Sequence, residues 1–299
     1  MTMNFDRRSA AYLQNPQPLL QRLLSQVSTE TLPDADQVDK VCAHVPAGTR
    51  IFVASLPSRD RADTVAAAKT LNDRGYIAVP HIAARALPSH AALEDFLYRL
   101  TGEAGCREAL VIAGDRPEVA GPYAETMDVL LTGALERHGL QIIHVGAHPE
   151  GNRIIGKDAL REAMRKKDYY ARSSDADFDF VTQFVFDGAT VVDWAQKLRG
   201  LGVGLPVRLG IAGPADLATL LRYARICGIG VSTRALMRQG AGSVKLIRRT
   251  VKPDDLIAGL VAAAGEDPLP EIAGLHIFPF GGVGRAMEWL GEARRTAGL

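Results

Sequence analysis

The feature that most constrains this chain is an alternation repeated eight times, in which a short β-branched or apolar run is followed by a longer stretch with helical spacing. The short runs lie at Leu24–Glu30, Arg50–Ser55, Ile77–Ile82, Glu108–Ala113, Gln141–Ala147, Phe178–Phe184, Val207–Ile211 and Gly274–Phe278. Helical patterns fall near 35–44, 60–73, 90–104, 121–138, 157–171, 189–201, 215–226 and 253–263. Parallel strands need a crossover that covers the sheet, and a helix supplies it. Eight such units predict one (β/α)8 TIM barrel over residues 21–299, preceded by a polar extension at 1–20. Periodicity alone also admits a doubly wound sheet, but no GxGxxG follows the first run, so that alternative lacks its usual dinucleotide anchor. The irregular stretch 229–252 reads as an extra helix or an active-site loop.

Composition supports one large core. The 299 residues are 47% hydrophobic and 23% charged, and no Pro/Gly/Ser-rich linker divides them. Lys and Arg number 35 against 34 Asp and Glu, so a net charge of +1 provides no global field toward nucleic acid or an anionic membrane. Cys42, Cys106 and Cys227 are far apart with no CxxC pair, which reads as reduced thiols and no metal site. The first 18 residues lack a secretory apolar stretch and no run approaches the ~20 apolar residues of a membrane span, so a cytoplasmic protein is expected.

In barrels of this kind the chemistry sits at the C-terminal ends of the strands. Polar residues that close the runs are Glu30, Ser55, His81, Asp115, His148 and Gln183, followed by the turn Gly281-Gly282-Val283-Gly284. Glu30 offers a carboxyl for general acid catalysis. Gln183 offers both a donor and an acceptor to an amide-rich heterocycle. The glycine turn reads either as an anion loop, whose backbone N–H groups can approach a phosphate, or as a simple turn.

Five segments, read in order, carry a further signal: STE at 28–30, PHIAA at 80–84, VIAGD at 111–115, HPEGN at 148–152 and FVTQFVFD at 180–187. Together, across roughly residues 25–290, they resemble the methylenetetrahydrofolate reductase family. The resemblance implies hydride transfer from NAD(P)H, through FAD, to 5,10-methylenetetrahydrofolate, giving the 5-methyl product or running in reverse, within one-carbon metabolism and methionine biosynthesis. It implies Glu30 as the acid that helps open the methylene-folate ring, and Asp115 as a second catalytic carboxylate near flavin and pterin. The flavin would lie on Ser55, His81, Ala113, Gly114 and Asp115, and beyond them on His148, Asn152 and Lys167. The tetrahydrofolate substrate would meet Glu30, Asp115, Gln183 and Arg285, whose planar fork suits a carboxylate. The chain has His148 where members usually carry tyrosine and Asn152 where they carry histidine. Two alternatives therefore stay open: a flavin-free enzyme passing hydride directly from NADH, and a folate-binding or electron-transfer subunit that needs a partner chain. A homo-oligomer is compatible with the sequence.

Overall fold

The computed structural model describes residues 19–152, 155–229, 250–267, 269 and 271–299. Eight parallel strands close into a barrel: β1 (Val27–Thr31), β2 (Arg50–Val53), β3 (Ile77–Ala83), β4 (Glu108–Ile112), β5 (Ile142–Ala147), β6 (Asp177–Thr182), β7 (Val207–Ala212) and β10 (Ile272–Phe278). Two short strands, β8 (Ala215–Asp216) and β9 (Thr250–Val251), form a separate antiparallel pair between β7 and β10. Because β1 pairs with both β2 and β10, the sheet has no edge, and the doubly wound alternative is excluded.

The described helices are α1 (Leu19–Ser25), α2 (Ala35–His44), α3 (Arg61–Asp73), α4 (His90–Tyr98), α5 (Thr126–Leu130), α6 (Ala134–Arg137), α7 (Lys157–Ala171), α8 (Gly188–Gly200), α9 (Leu217–Ile226), α10 (Asp254–Ala264) and α11 (Val283–Thr296). Side-chain caps start several of them: Asp34 for α2, Asp60 for α3, Ser89 for α4, Asp187 for α8 and Asp216 for α9 each accept a backbone N–H of the first turn. One continuous core lies between the outer strand faces and this helical layer.

Two expectations are corrected. Leu24 does not open the first strand; with Leu23 it belongs to α1, and both side chains are fully buried, because Leu19, Leu20, Leu23 and Leu24 form a helical stripe packed on the core. The helix expected over 121–138 is two short pieces. It starts only at the Glu125/Asp128 capping box and breaks at Gly133, whose φ of 63° is left-handed. Of the extension expected at 1–20, residues 1–18 fall outside the described residues while Leu19 and Leu20 begin α1 and pack on the core, and most of the irregular 229–252 stretch also falls outside. No described helix is long and apolar enough to cross a membrane.

Candidate functional site at the barrel mouth

Partnered residues on neighbouring strands point to the same face of a sheet. The registers Glu30–Phe52–Val79 and His81–Leu110–His144–Asp179 therefore run round the inside of the barrel. Phe52, Val79, Leu110 and Val181 form a small apolar plug there. Charged groups surround it in the lower half. Arg50 donates to both oxygens of Glu108 at 2.7 and 3.0 Å, and His144 donates to Glu108 at 3.2 Å and to Asp179 at 2.5 Å. Arg208 approaches Asp179 at 3.7 Å.

Both ring nitrogens of His144 face carboxylate oxygens, which only accept, so the ring carries two protons and is a buried imidazolium. Burial acts against that charge, but Asp179 and Glu108 outweigh it and raise the His144 pKa. For Glu108, burial pushes the carboxyl up, and the hydrogen bonds from His144 and Arg50 more than reverse this, bringing it down to about 2.

The mouth is built differently. Phe52 is ringed by three imidazoles, with centroid distances of 4.7 Å to His276, 5.1 Å to His144 and 6.1 Å to His81. Above it, Glu30 Oε2 lies 3.8 Å from His276 Nε2, beyond hydrogen-bond range, while His276 Nδ1 meets the Ser28 hydroxyl at 3.1 Å. His81 Nε2 is buried with no hydrogen-bond partner among the described residues. Burial drives the His81 pKa down to about 4, against the pull of Glu30, with His276 and His144 adding to the fall. Burial likewise lowers His276. Both rings are therefore neutral, and they sit beside an acid that is 20% exposed.

Asp115 follows β4 on an exposed bend and makes no hydrogen bond or ion pair among the described residues. The Cys227 thiol that follows α9 is pushed up to about 12, by burial first and then by the charges of Glu30 and Asp115. Gln183 follows β6, and its Oε1 accepts the N–H of Phe184. Ala113 and Gly114 follow β4, and Ser55 lies half-buried just beyond β2.

A second group gathers at the end of β5. Lys167 reaches from α7 to donate to the Gly146 carbonyl at 2.8 Å, and burial lowers its pKa to about 8, with Glu125 opposing. Burial and Lys167 bring His148 to about 4, and Asn152 Oδ1 accepts from Ile155 N at 3.2 Å.

Arg285 is exposed on the first turn of α11. The glycine turn before it has packing reasons for its composition. A Cβ on Gly281 would lie 1.9 Å from the Pro214 carbonyl oxygen, and Gly282 has φ 103°. Sequence reasoning missed Arg50, Glu108, His144, Asp179, Arg208 and His276. The available signal was polar residues interrupting apolar strands, as in IIHVGA and DFDFVT.

No family model matches the chain. Among solved structures, it is similar over 93% of its length, and 97% of the other chain, to an uncharacterized protein from Clostridium thermocellum that binds two copies of 5-methyl-5,6,7,8-tetrahydrofolic acid, at TM-score 0.59 and 12% identity. Dihydropteroate synthase from Thermus thermophilus matches at TM-score 0.46 and 15% identity, covering 91% of this chain and 95% of that one. An aldo-keto reductase from Klebsiella pneumoniae in complex with NADPH matches at 0.45 and 13%, covering 91% and 90%. At these identities the likeness is one of fold, the (β/α)8 barrel.

Proposed function

We propose that this chain binds a tetrahydrofolate derivative at the barrel mouth and reduces 5,10-methylenetetrahydrofolate to 5-methyltetrahydrofolate with hydride from NAD(P)H. The observation that carries the reading is Glu30, an acid on the inner face of the barrel that no described cation neutralises, with two neutral imidazoles beside it. As the general acid of this reading, Glu30 delivers a proton to the bridging nitrogen that leaves the methylene carbon. That C–N bond opens, the carbon becomes an iminium, and hydride adds to it to give the methyl group. Gln183, whose oxygen is engaged by Phe184 N–H, turns its amino end to an acceptor on the heterocycle. Asp115 supplies the second unneutralised carboxylate. Folate binding by the Clostridium barrel of the same fold supports the substrate class.

The family resemblance implies a flavin. Small residues end three adjacent strands, Ala83 on β3, Ala113 and Gly114 after β4, and Gly146 on β5, and the unpartnered His81 Nε2 offers a polar contact, so the residues fit its ring system. When bound, a flavin supplies the relay of hydride from nicotinamide to the one-carbon unit. Direct transfer from NADH is the second reading, favoured by two groups expected to hold the nucleotide arm that are already engaged, Lys167 with Gly146 and Asn152 with Ile155.

The test is one preparation of the full chain. Its visible spectrum after addition of FAD separates the two hydride routes. Oxidation of NADH or NADPH that depends on methylenetetrahydrofolate, with thermal stabilisation by 5-methyltetrahydrofolate, is the expected result. The absence of both turnover and stabilisation would overturn the proposal.

A further inference from the structure

The loop that carries Asp115 is fixed to the end of β3 along most of its length. Arg85, in the turn Ala84–Ala86 that follows β3, donates from Nε to the Arg116 carbonyl and from Nη2 to the Pro117 carbonyl, both at 2.6 Å. The Arg85 backbone adds two bonds, from its N–H to Ala113 O at 2.9 Å and from Ala120 N–H to its carbonyl at 3.0 Å. Gly114 packs on Ala83, where an added Cβ would stand 3.1 Å from the alanine Cβ. At Gly121 an added Cβ would lie 2.4 Å from Pro88 O, so the loop can lie this close only with glycine there. Asp115 is thus held from both sides, while its own carboxylate bonds to nothing described.

We infer that Arg85 is the positioning residue for Asp115, fixing the loop that presents this carboxylate just beyond the C-terminal end of β4 through the backbone, so that it stays rigid without being neutralised. The inference rests on the role given to Asp115 in the proposed function. An acid that acts on a bound ligand gains nothing from a salt bridge, which would occupy its oxygens and cancel its charge. Here a guanidinium stands next to the acid in the fold and spends its fork on the two carbonyls after it. A lysine, with one point charge and no fork, does not hold two carbonyls in this way. Arg85 touches no reacting atom in this scheme; it acts through Asp115.

The experiment compares Arg85→Ala, Arg85→Lys, Asp115→Asn and the double variant Arg85→Ala/Asp115→Asn in the full-length protein, by hydrogen exchange and by steady-state folate reduction. In Arg85→Ala, amide exchange in 113–121 should rise about tenfold or more while β5 and β6 stay unchanged. A displacement of about 1 Å can cost on the order of 10²-fold in rate, so kcat should fall by about 10- to 100-fold, with partial rescue in Arg85→Lys. The double variant should be no slower than Asp115→Asn alone, because a positioner has nothing left to position. Unchanged exchange in 113–121, or losses that multiply in the double variant, would overturn the inference. An Asp115→Asn protein of wild-type activity would instead overturn the role of Asp115, and the exchange result would still decide whether Arg85 fixes the loop.

Discussion

In the lower half of the barrel Glu108 takes two hydrogen bonds from Arg50 and a third from His144, whereas at the mouth Glu30 comes no nearer than 3.8 Å to His276. Both acids lie on inward-facing strand positions. The lower one sits in a chain of alternating charge, Arg50–Glu108–His144–Asp179–Arg208, that satisfies the cost of desolvating each member with the next. The upper one has neutral imidazoles beside it, one of them with a buried nitrogen bonded to nothing described. Buried polar groups are ordinarily paired. In the lower layer Arg50, Glu108, His144 and Asp179 are joined by direct hydrogen bonds, and Arg208, whose Nε has no partner among the described residues, still sets its charge 3.7 Å from Asp179. At the mouth neither Glu30 nor His81 Nε2 has a charged or hydrogen-bonding partner of that kind, and that layer is the one shaped for something outside the chain. The lower layer therefore reads as framework and the upper as site.

The comparison breaks most sharply at Glu30. Glu30→Gln keeps the shape of the side chain and removes its proton, so methylenetetrahydrofolate reduction should fall by about 10²- to 10⁴-fold. Thermal stability should stay close to wild type, since no paired charge is lost, and nicotinamide binding should persist. A folded variant that reduces the substrate at the wild-type rate would remove the mechanism. The converse change below is Glu108→Gln, which leaves Arg50 and His144 against an amide. Loss of one partner from a buried ion pair costs roughly 3–5 kcal/mol, so urea denaturation should show a loss of that order. If Glu108→Gln is as stable as the wild type, the lower network is not framework and the contrast between the layers fails.

Different parts of this molecule were legible in the sequence to different degrees. Most barrel strands announce themselves by an apolar or alternating run, β1 (VSTET) being the exception, and α2 and α7 occupy the expected ranges 35–44 and 157–171, because helical periodicity is a local property. Leu24 falls in the expected first strand because an apolar residue just before a strand fits either period, and only the packing of Leu19, Leu20, Leu23 and Leu24 on the core decides it. Glu30 and His81 stood out because they close strands. The lower network did not, since Glu108, His144, Asp179 and Arg208 lie on four strands, and one polar residue within an apolar run carries no sign of its partner. Closing the barrel brings them together. Arg85 was invisible for a related reason: its partners are carbonyls, which every residue has.

The smallest effect at neutral pH, and the finest test of the two layers, is their response to acid. An imidazole held neutral in the fold, such as His81 at about 4, takes up its proton near 6.5 once the chain unfolds. Its folded pKa is the lower of the two, so the stability present above pH 6.5 is lost as pH falls from 6.5 toward 4, where the unfolded state binds the extra proton. His148, also at about 4, acts in the same window. Glu108 is depressed as well, but from 4.5 to about 2, so its contribution is lost only below about pH 4.5. The mouth should therefore lose stability before the lower network does. Replacing His81 with asparagine removes one of the groups that titrate in the upper window. Between pH 6.5 and 4 the slope of unfolding free energy against pH should fall by up to about 1.4 kcal/mol per pH unit, the value of one proton. Above about pH 7 the two proteins should differ by about 1 kcal/mol or less, because His81 has no paired charge to lose. Urea denaturation at half-unit intervals from about pH 7.5 to 4 measures both quantities. A His81→Asn slope that matches the wild type would mean that the His81 ring is already protonated in the fold, and the mouth would then hold a charge beside Glu30 in place of a neutral acceptor.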